Sequence, residues 1–206
     1  MKAKADKAII DADFALKLGQ LEKYRILEVY LPECVELLYI HEHVYNNEIL
    51  MPPTVKEQID SLIQNGRAQI VNRNFIATKK PEAVSIYDEI QDLLQQNIID
   101  TVAGHKNWGE IVSIAFSKAL GINYFLSDES RLQEIIDEHI NLDMEGTDNI
   151  RVIRVADFFQ WMRDAGVERK VIKLAWLFYE NLKDHTTKKD IEKLKRWFDN
   201  EFWPVE

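Results

Sequence analysis

Short apolar runs alternate with longer amphipathic stretches along this chain, and that rhythm restricts it to few architectures. Residues 7 to 11, Leu37-Leu38-Tyr39-Ile40, Ala68-Gln69-Ile70-Val71, Asn123 to Leu126 and Ile150 to Val155 read as short strands. Helical patterns separate them. Strands joined through helices pair in parallel and need cover on both faces, so the predicted fold is a three-layer α/β/α arrangement around a mostly parallel central sheet.

The intervening helices can be placed from their apolar stripes and their stops. Phe14, Leu16, Leu18, Leu21 and Tyr24 suggest a helix broken near Gly19. Residues 26 to 50 are rich in Leu, Ile, Val and Tyr, with Pro32 as the main interruption and a helix starting between His41 and Val44. Met51-Pro52-Pro53-Thr54 stops that helix, because proline lacks a donor and constrains its predecessor. The next helix is placed from Thr54, with Glu57 as a capping-box partner and Val55, Ile59, Leu62 and Ile63 facing the core. Asn65-Gly66 ends it. Pro81 to Leu94 and Ser130 to Ile140 also read as helices, and another begins at Asp157. Glu110 to Leu120 is the clearest, with Ile111, Ile114, Ala115 and Ala119 on one face and Gly121 as its stop.

After Gly166 the pattern changes. Val167 to Leu182 and Lys188 to Phe202 read as two amphipathic helices joined by Asp184-His185-Thr186-Thr187. They carry Trp176, Phe178, Tyr179, Trp197, Phe198, Phe202 and Trp203, which need a surface to bury against. That surface is either the preceding domain or a partner, a second copy of the chain included. The expected organisation is an α/β domain over residues 1–165 and a helical extension over 166–206.

Composition narrows the function classes. The 206 residues contain one cysteine, Cys34, so no internal disulfide framework is possible and a reducing compartment is expected. No run of 18 apolar residues occurs, so no membrane span is expected. The charged N-terminus leads into too short an apolar stretch to read as a secretory signal, and the expected location is the cytoplasm. A formal charge of −9 argues against a surface coated for non-specific duplex binding. A local basic strip would still guide a phosphate backbone. Its candidates are Lys79, Lys80, Lys106, Arg151, Arg154, Arg169, Lys170 and Lys173, against the plainer reading of scattered solubilising charge.

Carboxylates cluster at the ends of the predicted strands. Asp11 and Asp13 follow Ile9-Ile10, while Asp128 and Glu129 follow Tyr124-Phe125-Leu126-Ser127. Glu110 opens the helix after Trp108-Gly109, where Gly109 permits a tight approach. Strand ends of an open α/β sheet are where such folds bind ligands, and acids gathered there repel unless a cation sits between them. Asp11 is favoured for the pocket because it directly follows the apolar run, and Asp13 is placed as a cap for the next helix. Taken singly, Glu110 could be a favourable charge at a helix start, and Ser127 or Asp128 could cap the following helix. The segment from Tyr39 to Leu50 adds Glu42, Glu48, His41 and His43. Its two histidines lack the His-Glu-x-x-His spacing of zinc proteases and read as surface or capping groups. Glu42 and Glu48 fall on different faces of a straight helix, and Glu48 is the better placed to approach the core. Oxygen-only ligands suit magnesium or manganese, which can activate water and neutralise a phosphodiester.

The pieces Ile9-Ile10-Asp11-Ala12-Asp13, Val44-Tyr45-Asn46-Asn47-Glu48-Ile49, Gly109-Glu110-Ile111-Val112-Ser113-Ile114-Ala115 and Leu126-Ser127-Asp128-Glu129 together resemble the PIN domain, a small α/β ribonuclease fold. The resemblance covers about residues 7–162 and leaves out the C-terminal helices. It implies a metal-dependent ribonuclease with Asp11, Glu48, Glu110 and Asp128 in the four acidic positions. Glu129 or Asp13 would support Asp11, Glu110 and Asp128 in holding Mg2+ or Mn2+, and RNA would be the substrate. The chain departs from the family pattern in three respects. Its second acidic segment lies far from the first, so Glu42 or Glu57 could take the place of Glu48. Ala12-Asp13 replaces the usual Thr-Asn, and the chain is longer than a minimal toxin nuclease.

Two rival enzyme readings are weaker. Asp11-Ala12-Asp13 has the two-aspartate spacing of haloacid-dehalogenase-like phosphatases, but position 15 is Ala and no clear lysine motif follows. No glycine-rich phosphate loop follows the first strand, which disfavours a dinucleotide-binding fold. A non-enzymatic alternative is a catalytically inactive PIN-like module that binds RNA or a protein partner through the C-terminal aromatics.

Overall fold

The computed structural model describes residues 3–98, 107–141, 146–183 and 187–204. Strands β1 (Ala5–Ile10), β2 (Val35–His41), β3 (Ala68–Val71), β4 (Tyr124–Leu126) and β5 (Arg151–Ile153) form one five-stranded sheet. Its order is β3-β2-β1-β4-β5, and each of these neighbours pairs in parallel. The first half of the chain supplies helices α1 (Ala12–Gly19), α2 (Ile26–Val29), α3 (Leu31–Cys34), α4 (Pro53–Gln64), α5 (Arg73–Lys79) and α6 (Val84–Ile98). The second half supplies α7 (Trp108–Leu120), α8 (Leu132–His139), α9 (Val155–Asp164), α10 (Arg169–Lys183) and α11 (Lys188–Trp197).

Side chains alternate across a strand, and here the alternation divides the interior into two cores. Ala8 and Ile10 of β1, with Leu38 and Ile40 of β2, pack against Phe14, Val55, Ile59, Phe158, Phe159 and Ile172 on one face. Ile9 and Tyr39 point the other way, onto Tyr87, Leu94, Ile111, Ile114, Phe116 and Ile136. The expected three-layer α/β/α architecture is therefore present. Among the described residues, no helix is long and apolar enough to cross a membrane.

The chain leaves β1 for β2 and β3 on one side, then returns to place β4 on the other. This reversal puts a crevice at the carboxyl ends of β1 and β4. Ile9 pairs with Phe125 and Ile10 with Leu126, so Asp11 and Ser127 follow together at the same edge. The Asp11 amide donates to the Leu126 carbonyl at 2.9 Å and extends that register by one bond.

Several local expectations shift. Helix α4 starts at Pro53 with Pro52 as its cap and no side-chain bond, so the box expected from Thr54 and Glu57 is not formed. Proline at the first helical position has its φ already set and no orphan N–H to satisfy, which moves the start upstream. Asp13 lies inside the first turn of α1 rather than at its cap, which is Asp11. Neither Ser127 nor Asp128 caps α8, whose cap position is Arg131 without a side-chain bond. The Ser127 hydroxyl instead accepts from the Glu129 amide at 3.4 Å. Residues 26–34 fold as the short helices α2 and α3, which their dense apolar composition concealed. His41 is buried rather than at the surface, with Nε2 3.0 Å from the Tyr87 hydroxyl and Nδ1 accepting from the His43 amide at 3.1 Å.

The C-terminal aromatics turn inward to a large extent. Ile172, Ala175, Trp176, Tyr179 and Phe198 belong to the same apolar cluster as β1 and α1. Trp176 stacks on Trp197 with ring centroids 5.2 Å apart, while Trp197 remains about half exposed. Thr187 and Asp190 form a reciprocal capping box at the start of α11. The rest of the expected interhelical link, 184–186, lies outside the described residues.

A single buried amide ties three of these helices. Gln58 Nε2 donates to the Gly19 carbonyl at 2.8 Å and the Thr54 carbonyl at 3.2 Å, and Oε1 accepts from the Leu27 amide at 3.2 Å. Gln58→Leu keeps the volume but strands the buried Leu27 N–H and Gly19 C=O. Urea denaturation is expected to register a loss of about 2–4 kcal/mol.

Candidate functional site

Asp11, Glu48 and Glu110 approach one another from three separate elements at the crevice. Asp11 sits at the end of β1, 2% exposed. Its carboxylate accepts from the Ala12 amide, and the Ser127 hydroxyl donates to Oδ2 at 3.4 Å. Glu48 closes the π-helical turn Val44–Glu48 that follows β2. Val44 fills the core, and Glu48 reaches Gly109 at the start of α7. A Cβ built on Gly109 would stand 2.3 Å from Glu48 Oε2, so only glycine lets that carboxylate rest on the helix end, where it accepts from the Gly109 amide. His43 Nε2 lies 3.4 Å from Glu48 Oε1. Glu110, one residue on, completes the group from the first turn of α7.

Their electrostatics carry the signature of crowding. Burial pushes the Asp11 carboxyl well above the usual carboxylate range, and the Glu110, Glu48 and Asp13 charges push it further, against the Ala12 amide. Burial, with Glu110 beside it, raises Glu48 to about 6. Glu110 is raised by burial and by the neighbouring charges of Glu129 and Asp13, while its own amide works in the opposite sense. Three carboxyls that each resist ionisation because of burial and neighbouring acids form a typical functional-site arrangement.

Asp128 has partners of its own and shares Lys17 with Asp13. It is 6% exposed, and its carboxylate lies 2.8 Å from Lys17 Nζ and accepts from the Tyr179 hydroxyl at 2.9 and 3.1 Å. The Val155 amide donates to it at 3.3 Å, and Arg154 Nε lies 3.7 Å away. Asp128 is not among the charges pushing on Asp11, Glu48 or Glu110. Asp13 is half exposed and paired with Lys17 at 2.6 Å. Glu42 accepts from Asn72 Nδ2 at 2.8 Å, and Glu57 is exposed on α4; of the three candidates for the second acid, Glu48 is the one facing Asp11 and Glu110. Lys17 and Tyr179 were not singled out by sequence as partners of an acid. Lys17 had a weak signal, four residues after Asp13 on one helix face. Tyr179 had none, since 51 residues separate it from Asp128.

Among the described residues, no group of three or more His, Cys, Asp or Glu side chains stands close enough to hold a metal ion. The donor set nevertheless suits a hard cation. Magnesium is commonly held by one or two carboxylates plus water and substrate phosphate rather than by an all-protein cage. Asp11 and Glu110, with Glu48 beside them, fit that requirement. Beside them a cavity of about 310 Å³ runs from Glu110 and Glu129 to Arg131 and His139 over Leu132 and Ile135.

Among the described residues, several of the basic candidates are engaged away from the crevice. Arg169 and Lys173 both pair with Asp199, the latter at 2.6 Å, and Arg154 turns to Asp128. Lys79 and Lys80 line a groove with Lys7, near the start of β1, and Lys106 lies outside the described residues. No protein-family model, curated protein or solved structure matches this chain.

Raised carboxyls reverse the familiar pH dependence. The folded protein keeps protons on Asp11, Glu48 and Glu110 that the unfolded chain has already released. Their contribution is present at low pH and is lost as pH rises through the raised values. For Glu48 the window runs from 4.5 to about 6. Glu48→Gln is expected to exceed wild type in stability by about 1–2 kcal/mol at about pH 7.5, with the difference vanishing near pH 4, as read by chemical denaturation. In a Gly109→Ala background the Glu48 carboxylate is displaced into solvent, and the same comparison should show a smaller difference.

Proposed function

We propose that this protein is a divalent-metal-dependent ribonuclease of the PIN-like type, hydrolysing RNA phosphodiester bonds at the crevice between β1 and β4. The observation that supports this reading is the crowding of Asp11, Glu48 and Glu110, three acids from distant segments whose ionisation is resisted by burial and by neighbouring acids. A bound Mg2+ or Mn2+ would neutralise phosphate charge and lower the pKa of water. Asp11 and Glu110 would hold the cation, with the Ala12 amide and the Ser127 hydroxyl orienting the Asp11 carboxylate. Glu48, whose pKa of about 6 lies near neutrality, is suited to accept a proton from the attacking water at its carboxylate. Glu129 and Asp13 add negative charge at the rim. Asp128 serves as a positioning residue that ties the end of β4 to α1, α9 and α10.

The expected partner is single-stranded or structured RNA. The half-exposed Trp197 and its aromatic neighbours offer a contact for a protein partner or second copy, and a cytoplasmic location accords with the single buried thiol of Cys34. One observation favours the alternative of a non-catalytic RNA- or protein-binding module. Asp128, the fourth acid of the resemblance, is fully engaged by Lys17 and Tyr179.

Cleavage of a mixed RNA pool with manganese or magnesium tests the choice. Wild type is expected to cleave, and Asp11→Asn and Glu110→Gln to lose about 100-fold or more, the scale of an electrostatic contribution to catalysis. Both variants should stay folded, since each replaces a carboxyl that already resists ionisation. Calorimetric manganese titration provides a second readout, with binding weakened in the same variants. Equal cleavage by all three proteins would overturn the assignment. Absence of both manganese binding and cleavage, with RNA binding intact, would establish the non-catalytic module.

A further inference from the structure

Three lysines line a second groove, whose end lies at the C-terminal end of α7. Lys7 near the start of β1, Lys79 at the end of α5 and Lys80 just after it line a groove of about 420 Å³ with Tyr39, Phe75 and Gln69. Its end wall is Leu120 and Ile122, at the C-terminal end of α7. Glu110 lies at the other end of the same helix, about 15 Å away along the axis at 1.5 Å per residue. The groove therefore cannot be part of the acidic crevice.

The chemistry of the groove is unlike that of the surrounding surface. In a chain of net charge −9, three lysines line this groove with one acid, Glu82. Lys80 Nζ donates to the Ala119 carbonyl at 3.1 Å, which anchors one wall. Beneath them Tyr39, Phe75 and Phe116 form a ring cluster, with Phe75 half buried and its centroid 6.2 Å from Tyr39 and 5.9 Å from Phe116. Burial raises the Tyr39 hydroxyl and keeps it a proton donor. Gln69 adds an amide that both donates and accepts. Lysines bind phosphate as point charges, aromatic faces stack on bases, and an amide can hydrogen-bond a base edge.

The geometry points to a nucleotide-binding groove, distinct from the acidic crevice, that takes the phosphate of a nucleoside monophosphate unit on Lys7 and Lys79 and its base against the half-buried Phe75 ring, which Tyr39 supports edge-on. The unit is a free nucleotide or one residue of an RNA strand. This inference stands whether or not the protein is a nuclease.

Adenosine 5′-monophosphate is the probe, read by NMR chemical-shift changes and by calorimetry on the full chain. Shifts are expected at Lys7, Gln69, Phe75 and Lys79. Lys7→Ala combined with Lys79→Ala should weaken binding at least tenfold, while Lys79→Arg retains most of it. Phe75→Leu, checked for folding by its melting curve, should weaken the nucleotide more than inorganic phosphate. Asp11→Asn should bind the nucleotide as wild type does. A single-stranded oligouridylate that binds more tightly than the mononucleotide, with steeper salt dependence, identifies RNA as the source, and the reverse order identifies free nucleotide. The inference is overturned if these residues do not shift, if the double variant binds as wild type, if phosphate alone binds as tightly as the nucleotide, or if Asp11→Asn abolishes binding.

Discussion

The Asp128 carboxylate is the point at which the second half of the chain is fastened to the first. It leaves the end of β4 and meets an ammonium from α1, a hydroxyl from α10 and an amide at the start of α9. A carboxylate so deeply buried is tolerated only when its oxygens are satisfied, and here the partners come from helices that cover a single face of the sheet. Removing one of them would leave a buried charge short of partners, which costs more than the bond itself contributes. Through these bonds Asp128 ties α1, α9 and α10 together over the ends of β1 and β4, beside the apolar cluster that the same helices share.

The neighbouring crevice is built on the opposite logic. Asp11, Glu48 and Glu110 are held near one another, with the Ala12, Gly109 and Glu110 amides, the Ser127 hydroxyl and His43 Nε2 beside them. Each carboxyl is raised, so the folded state bears an electrostatic cost near neutral pH. Strain of that kind persists when the surrounding structure over-determines it. The β1–β4 register places Asp11, the π-helical turn after β2 with the close approach at Gly109 places Glu48, and the first turn of α7 places Glu110. The two acidic features thus divide the labour: a neutralised acid holds the layers together, and an unneutralised group lies beside it at the strand ends.

Much of the scaffold was legible because its signals are local. The strand Ala68–Val71 coincides with the apolar run that marked it, and α7 with its Gly121 stop follows from helical spacing and a left-handed terminus. Where local signals compete, the reading shifted. Pro53 began α4 ahead of Thr54, and the apolar stretch before β2 concealed α2 and α3. The acids were found as residue types at element ends, but their grouping was only partly foreseen. Nothing local distinguishes Asp11, which faces other acids, from Asp128, which faces Lys17 and Tyr179.

From the order of its residues alone, this chain determines an alternating series of strands and helices, carboxylates at the strand ends, and a C-terminal pair of helices too aromatic to stand in water. These follow from backbone preference and hydrophobic periodicity, which act over a few residues. The tertiary structure decided which acids share a crevice, which acid is neutralised, and that Lys7, Lys79 and Lys80 line a common groove with Tyr39 and Phe75. Those outcomes are set by distances across the sheet and by the burial of charge, and neither quantity exists until the layers have packed.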